Sequence, residues 1–138
     1  MKTCDGGVTA ALGFMAAGVH CDVKGVQDAE GTQSTRRDLA LIVSESPATA
    51  AAMFTKNQFK AAPVLFDQQQ LAASQQIAAI VANSGNANAC TGERGMQDCR
   101  RMAEKTAEAV SCEPAQVLVV STGVIGRFLP IDRICNGI

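Results

Sequence analysis

IAAIVANSGNANACTG, residues 77–92, decides the architecture. Ile77 to Ala82 is apolar without alternation, which suits a strand buried on both faces. It runs straight into Asn83–Gly92, where the density of Asn and Gly marks a specially shaped loop. The amides of such a loop can surround a substrate, or they can bond their own backbone and hold a tight shape. The second role is the expectation for most of them.

The residues that follow supply the next two elements. Met96, Cys99, Ala103, Ala107 and Val110 recur at three- and four-residue steps, with Arg100, Arg101, Glu104, Lys105 and Glu108 on other faces, which predicts an amphipathic helix over 96–110. Gly95 precedes it and Pro114 follows. Val117 to Val120 (VLVV) reads as a strand ending at Ser121-Thr122-Gly123. Leu129-Pro130-Ile131-Asp132 reads as a helix start with Pro130 in its first turn.

Upstream, the small, glycine-punctuated run Gly6–Cys21 suits one or two strands packed closely against other backbone. Asp22–Arg37 is polar and without period, a loop or hairpin tip. Leu39–Val43 (LALIV) fits a strand buried on both faces, whereas Ala48–Thr55 is open between helix and strand. After Ala61–Phe66, a glutamine-rich stretch with Leu71 forms a short surface helix. Strands alternating with helices give an α/β or α+β layered body. The 138 residues form a single domain, and the expected final helix begins only a few residues before Ile138, so the domain is expected to be incomplete.

Composition excludes several classes. Formal charge is -1 and only 4% of residues are aromatic, so a nucleic-acid binder's electrostatic and stacking signature is missing. No apolar run approaches the ~20 residues of a membrane-spanning helix, so no membrane partner is expected. Lys2 before the apolar stretch Val8–Val19 has the outline of a signal peptide, but Asp5 and the lack of a small-x-small cleavage pattern oppose it. A cytoplasmic location is expected. Cys4, Cys21, Cys90, Cys99, Cys112 and Cys135 are irregularly spaced and read as reduced thiols. With one histidine and no Cys-x-x-Cys, no metal site is expected, nor a bound cofactor.

Ser121-Thr122-Gly123 carries the sharpest chemical possibility. A strand ending in small polar residues presents backbone N–H groups at a sheet edge. Thr122 adds a hydroxyl donor and Gly123 removes the obstructing Cβ, so together they can form an oxyanion hole. The same tripeptide also serves merely to turn a chain. His20 beside Cys21 suggests a nucleophile pair, but adjacent strand residues point to opposite faces, and a structural histidine is expected. Lys56 and Lys60 read as solvated surface.

Three segments in order, DLALIVSESPATAAAMFTKNQFKAAPV from Asp38, IVANSGNANACTGERG from Ile80 and VLVVSTGVIGRFLPID from Val117, resemble consecutive signatures of the ornithine acetyltransferase (glutamate N-acetyltransferase) family. NSGNANACTG is the most specific. The resemblance implies an αββα sandwich shared with self-cleaving aminopeptidases, in which the precursor cuts itself before a threonine that becomes the N-terminal nucleophile. It implies transfer of acetyl from N-acetylornithine to glutamate in arginine biosynthesis, and in some members from acetyl-CoA as co-substrate. The oxyanion donors carry over to Thr122 and Gly123. The cleavage threonine carries over to no residue here, which makes this chain the N-terminal part of an α chain whose partner is its own β chain, in an α2β2 assembly. Arg127-Phe128, directly after Gly126, is bulkier than an active-site turn of that family leads one to expect.

Two other readings compete with acetyl transfer. One is a self-processing aminopeptidase of the same superfamily, which would keep the oxyanion logic and use water as acceptor. The other is a non-catalytic fragment or binding module.

Overall fold

A computed structural model describes residues 5–25 and 35–138. Cys4, the residues around Lys2 and most of the polar segment before Arg37 lie outside the described residues. Strands β1 (Phe14–Val19), β2 (Leu39–Thr49), β3 (Gln76–Asn86) and β4 (Val117–Val124) form one sheet in that spatial order. The pairs β1/β2 and β2/β3 are antiparallel, and β3/β4 is parallel. Helix α1 (Ala62–Ala73) joins β2 to β3, α2 (Gly92–Val110) makes the crossover from β3 to β4, and α3 (Ile131–Gly137) closes the chain.

The parity of the strands divides the sheet. Leu39, Ala79, Val81, Val117 and Val119 point to one side and pack with Phe66 of α1, with Cys99, Met102, Ala103 and Ala107 of α2, and with Leu129, Ile131 and Ile134. Met102, Val81, Val117, Val119 and Ile134 are fully buried there. Burying a side chain of this size stabilises by roughly 1.5–3 kcal/mol, so this seam holds the fold together. The other side carries Ala40, Ile42, Ile80, Ala82 and Val120. Ala40 is exposed, the next three are half-buried, and Val120 is 45% exposed.

LALIV is therefore not buried on both faces, because the described helices cover one face only. The chain is mixed α/β and supplies one helical layer and one sheet.

Local chemistry explains where element ends depart from expectation. Ala61–Phe66 belongs to α1. Pro63 occupies its first turn, where a missing N–H costs nothing, and Phe66 turns inward. Gly6–Cys21 supplies a single strand preceded by a short 3₁₀ turn at Gly7–Ala10, and β2 extends to Thr49 before irregular chain. Pro130 caps α3 from outside instead of sitting within its first turn. The helix read over 96–110 begins earlier, at Gly92, and ends where Ser111 adopts φ 59°. Its buried stripe is Cys99, Met102, Ala103, Thr106 and Ala107, with Met96 and Val110 at the margins.

Candidate functional site

The parallel pair β3/β4 aligns Asn83 with Ser121, Ser84 with Thr122, and Gly85 with Gly123. Asn83–Asn86 thus continues a strand where a loop is expected, and Ser121–Gly123 lies inside β4 instead of ending it. The reason is tertiary: each segment finds its backbone partner in the other, which local propensity does not reveal.

Side-chain direction follows from parity. Ser121 points with Val117 and Val119 to the helix side, where its hydroxyl donates to Asn83 Oδ1 at 2.6 Å. Thr122 shares the parity of Leu118 and Val120, so its exposed side chain stands on the open face beside Ser84.

Backbone direction follows too. On the free edge of β4, the Val119 N–H donates to Asp67 Oδ1 at 2.9 Å and the Val117 carbonyl accepts from Gln70 Nε2 at 3.1 Å. Alternate residues of a parallel strand face the same neighbour, so the Gly123 N–H points to that free edge. The Val124 carbonyl faces β3 and accepts from the Ala87 N–H at 2.9 Å.

Gly123 is at φ 134°, and a Cβ there would overlap the backbone of Gly85 and come within 2.7 Å of the Asn86 nitrogen. Gly85 is itself at φ 123°, and its own Cβ would meet Lys24 Cγ at 2.5 Å. Two residues without side chains therefore let β4 and β3 approach closely while Lys24 lies over them. A cavity of about 330 Å³ opens here, lined by Lys24, Ser84, Gly85, Thr122, Gly123 and Arg127.

The amide-rich segment is built differently. Asn83 Nδ2 donates to the Asn86 carbonyl at 2.9 Å, and Asn86 Nδ2 donates to the Phe128 carbonyl at 3.0 Å. Asn88, fully buried at φ 47°, donates to the Gly95 carbonyl at 3.0 Å and accepts from the Thr91 hydroxyl at 2.8 Å. Its own carbonyl accepts the Ala62 N–H at 3.2 Å. These amides bond their own chain and tie the β3–α2 connection to α1 and to the segment after β4.

Two carboxylates brace the region. Burial works against ionisation of Asp38, yet the N–H groups of Cys21 (2.8 Å) and Val23 (2.7 Å) hold its pKa below the ordinary value. Burial raises Asp67 to about 6, against the lowering effect of the Val119 N–H. The His20 Nδ1–H donates to the Arg36 carbonyl at 2.9 Å, so the ring is held by backbone. Cys21, Cys90, Cys99, Cys112 and Cys135 are free thiols, and burial pushes Cys21 and Cys99 up to about 12. Such thiols are poor nucleophiles. Among the described residues no cluster of His, Cys, Asp or Glu could hold a metal, and no helix is long and apolar enough to cross a membrane.

Sequence reasoning singled out Thr122 and Gly123, which the structure places together on one strand. It missed Lys24, which sits in the polar segment after β1, and Asp67, which follows an apolar run. The only sequence signal for Gly85 was its place in the Asn-rich stretch.

Known proteins resemble this chain in sequence and in fold. The arginine biosynthesis bifunctional protein ArgJ of Bacillus licheniformis is 41% identical over all 138 residues, and that of Thermotoga neapolitana is 50% identical over 91% of the chain. The chain spans only about a third of these curated relatives, 32% and 30% of their lengths. A crystal structure of ArgJ from Bacillus halodurans superposes with a TM-score of 0.86 at 44% identity, covering 96% of this chain and 64% of that one. The ornithine acetyltransferase of Mycobacterium tuberculosis, crystallised with ornithine, superposes at 0.81 and 45% identity, covering 95% and 66%. The ArgJ family model matches residues 15–138, nearly the whole of the sheet and helices described above, and the chain belongs to the ArgJ family.

Proposed function

We propose that this chain is the N-terminal part of an acyltransferase that moves acetyl from N2-acetylornithine to glutamate in arginine biosynthesis, with Thr122 and Gly123 as its oxyanion hole. The observation that carries the reading is the Gly85–Gly123 approach, which leaves the Thr122 hydroxyl on the open face and the Gly123 N–H on the free edge of β4. Both are donors at the end of a strand, beside a cavity that Thr122 and Gly123 line.

In the reaction so proposed, a threonine hydroxyl outside these residues attacks the acetyl carbonyl, and its proton passes to that threonine's own α-amine. Negative charge gathers on the carbonyl oxygen, where Thr122 and Gly123 stabilise it. Collapse breaks the C–N bond, releases ornithine with the proton on its departing nitrogen, and leaves an acetyl ester. The glutamate amine then attacks that ester through the same oxyanion. Acetyl-CoA serves as an additional acetyl donor. The domain is completed by the rest of the α chain and by the β chain in a cytoplasmic α2β2 enzyme, and these 138 residues alone are inactive.

The test is acetyl transfer from N-acetylornithine to glutamate by the whole protein, beside a Thr122→Ala variant checked for self-cleavage. Turnover is expected to fall about 10²- to 10³-fold, as on loss of one oxyanion donor. Full activity in a correctly cleaved variant removes Thr122 from the site. Release of free acetate without transfer to glutamate replaces the transferase with a hydrolase.

A further inference from the structure

Three side-chain hydrogen bonds run in series around the Thr122–Gly123 pair. The Ser121 hydroxyl donates to Asn83 Oδ1 at 2.6 Å, Asn83 Nδ2 donates to the Asn86 carbonyl at 2.9 Å, and Asn86 Nδ2 donates to the Phe128 carbonyl at 3.0 Å. The series starts on the residue before Thr122 and ends at Phe128, past the turn at Gly126. Asn83 and Asn86 are buried, so water competes little for these bonds.

The enclosed stretch has little else to hold it. Thr122 to Phe128 are all exposed, and the first side chain buried after Val119 is Leu129. Gly123, at φ 134°, has no side chain to fix its own torsions. Beyond the β3 ladder, the remaining grips come from the same β3–α2 connection. The Ala87 N–H donates to the Val124 carbonyl and the Gly126 N–H to the Ala89 carbonyl, both at 2.9 Å, and the Arg94 guanidinium of α2 lies 4.1 Å from the centre of the Phe128 ring.

An oxyanion hole works only if its donors already point to where charge will gather, because reorienting them during the reaction uses up the stabilisation they give. An exposed strand end that contains glycine does not supply that rigidity by itself. Two buried amides tied to both of its ends do.

We infer that Asn83 and Asn86 are positioning residues for the Thr122–Gly123 oxyanion hole, acting through the Ser121 hydroxyl on one side of it and the Phe128 carbonyl on the other. The inference rests on the acetyl-transfer reading above. Asn83 sets the bearing of the chain as it enters Thr122, and Asn86 fixes its return at Phe128, which limits the swing of the Gly123 N–H between them. Neither amide touches substrate in this role, so their loss weakens the transition state and spares substrate affinity.

The test measures kcat and KM for N-acetylornithine, with glutamate as acceptor, on the whole self-cleaved protein. The variants are Ser121→Ala, Asn86→Ala, Thr122→Ala and the two doubles that carry Thr122→Ala. Ser121→Ala and Asn86→Ala are each expected to lower kcat about tenfold, less than the roughly 10²- to 10³-fold cost of losing a donor outright, with KM changed less than about twofold. Ser121→Thr, which keeps the hydroxyl, restores most of kcat. In the Thr122→Ala background the same changes should cost about threefold or less, because one of the donors they aim is already gone and groups that act through one another are not additive.

Asn88→Ala is the comparison: it breaks amide bonds of the same connection outside the series, and should lower the melting temperature while keeping kcat per folded molecule. Equal losses with and without Thr122, or a kcat loss at Asn88→Ala equal to that at Asn86→Ala, make the series general scaffolding and overturn the inference. A rise in KM with kcat kept overturns it too. Should Asn86→Ala fail to fold, Ser121→Ala and Ser121→Thr decide alone, since Ser121 is only half-buried. A wild type that cleaves itself but transfers no acetyl defeats the acetyl-transfer reading, whereas normal transfer with full kcat in Ser121→Ala and Asn86→Ala defeats the positioning role alone.

Discussion

Two polar segments lie side by side at the end of the parallel pair, and they use their donors in opposite ways. In Asn83–Gly92 the amides of Asn83, Asn86 and Asn88 all bond neighbouring backbone, and all three residues are buried. Of the side chains in Ser121–Gly126 only that of Ser121 is tied back, while Thr122 and Gly123 are exposed. Similar composition therefore serves two purposes. Buried amides with every bond made hold a shape, because leaving one unmade is costly, whereas exposed donors on a rigid edge remain available to a ligand.

The comparison breaks first at Thr122. Thr122→Ala should cost activity about 10²- to 10³-fold while shifting stability by less than about 0.5 kcal/mol, checked by acetyl-transfer assay and thermal melt on the same preparation. A melt that falls together with the activity would make Thr122 structural.

Asn88→Ala should show the reverse pattern. Removing a fully buried amide with three partners, one of them backbone, strands the Gly95 carbonyl and the Thr91 hydroxyl. A loss of about 2–4 kcal/mol is expected by denaturant unfolding, with normal kcat in the fraction still folded. Gly95→Ala should act in the same direction, since its Cβ would come within 2.7 Å of Asn88 Oδ1 and 3.1 Å of the Ala62 Cβ.

Asp67 sharpens the contrast through pH. Its pKa is raised from 3.8 to about 6 in the fold, so the folded protein holds its proton over a range where the unfolded chain has lost it. The stability that this group contributes is complete below about pH 4 and is lost as pH rises through 6. Asp67→Asn keeps an acceptor for the Val119 N–H and should flatten that fall, leaving the variant about 1–2 kcal/mol more stable at pH 7 once residual solvent is allowed for. Parallel curves for the two proteins between pH 4 and 7 would refute this. The smallest effect is expected at Arg133→Ala, where an exposed bridge to Asp22 is removed and stability should change by no more than about 1 kcal/mol.

Much of this was legible in residue order. The apolar runs at Ile77–Ala82 and Val117–Val120 gave two strands, the three- and four-residue steps after Met96 gave α2, and the small polar tripeptide pointed to Thr122 and Gly123. What could not be read depends on residues meeting across the sheet. Nothing local to Ser121–Gly123 says that it stays extended, because the partner that keeps it so is Ser84–Gly85. The exposed face of LALIV depends on which layers pack on the sheet and not on LALIV itself. Asp67 follows an apolar run in a glutamine-rich stretch, and only the arrival of Val119 gives its carboxylate work. Lys24 belonged to a segment read simply as loop, and it acquires a place only because Gly85 has no side chain.

The Gly85–Gly123 contact also acts as a register lock. Sliding β4 by two residues would keep each side chain on its own face, so the apolar pattern alone does not forbid it. Such a slide would bring Ser121 or Ile125 against Gly85, and Gly123 against Asn83 or Ala87, pressing a Cβ into a gap sized for none. Of the alignments that satisfy the core, a single one puts the two bare backbones together. The chain thus finds the correct pairing of its two parallel strands through a contact that only two glycines allow.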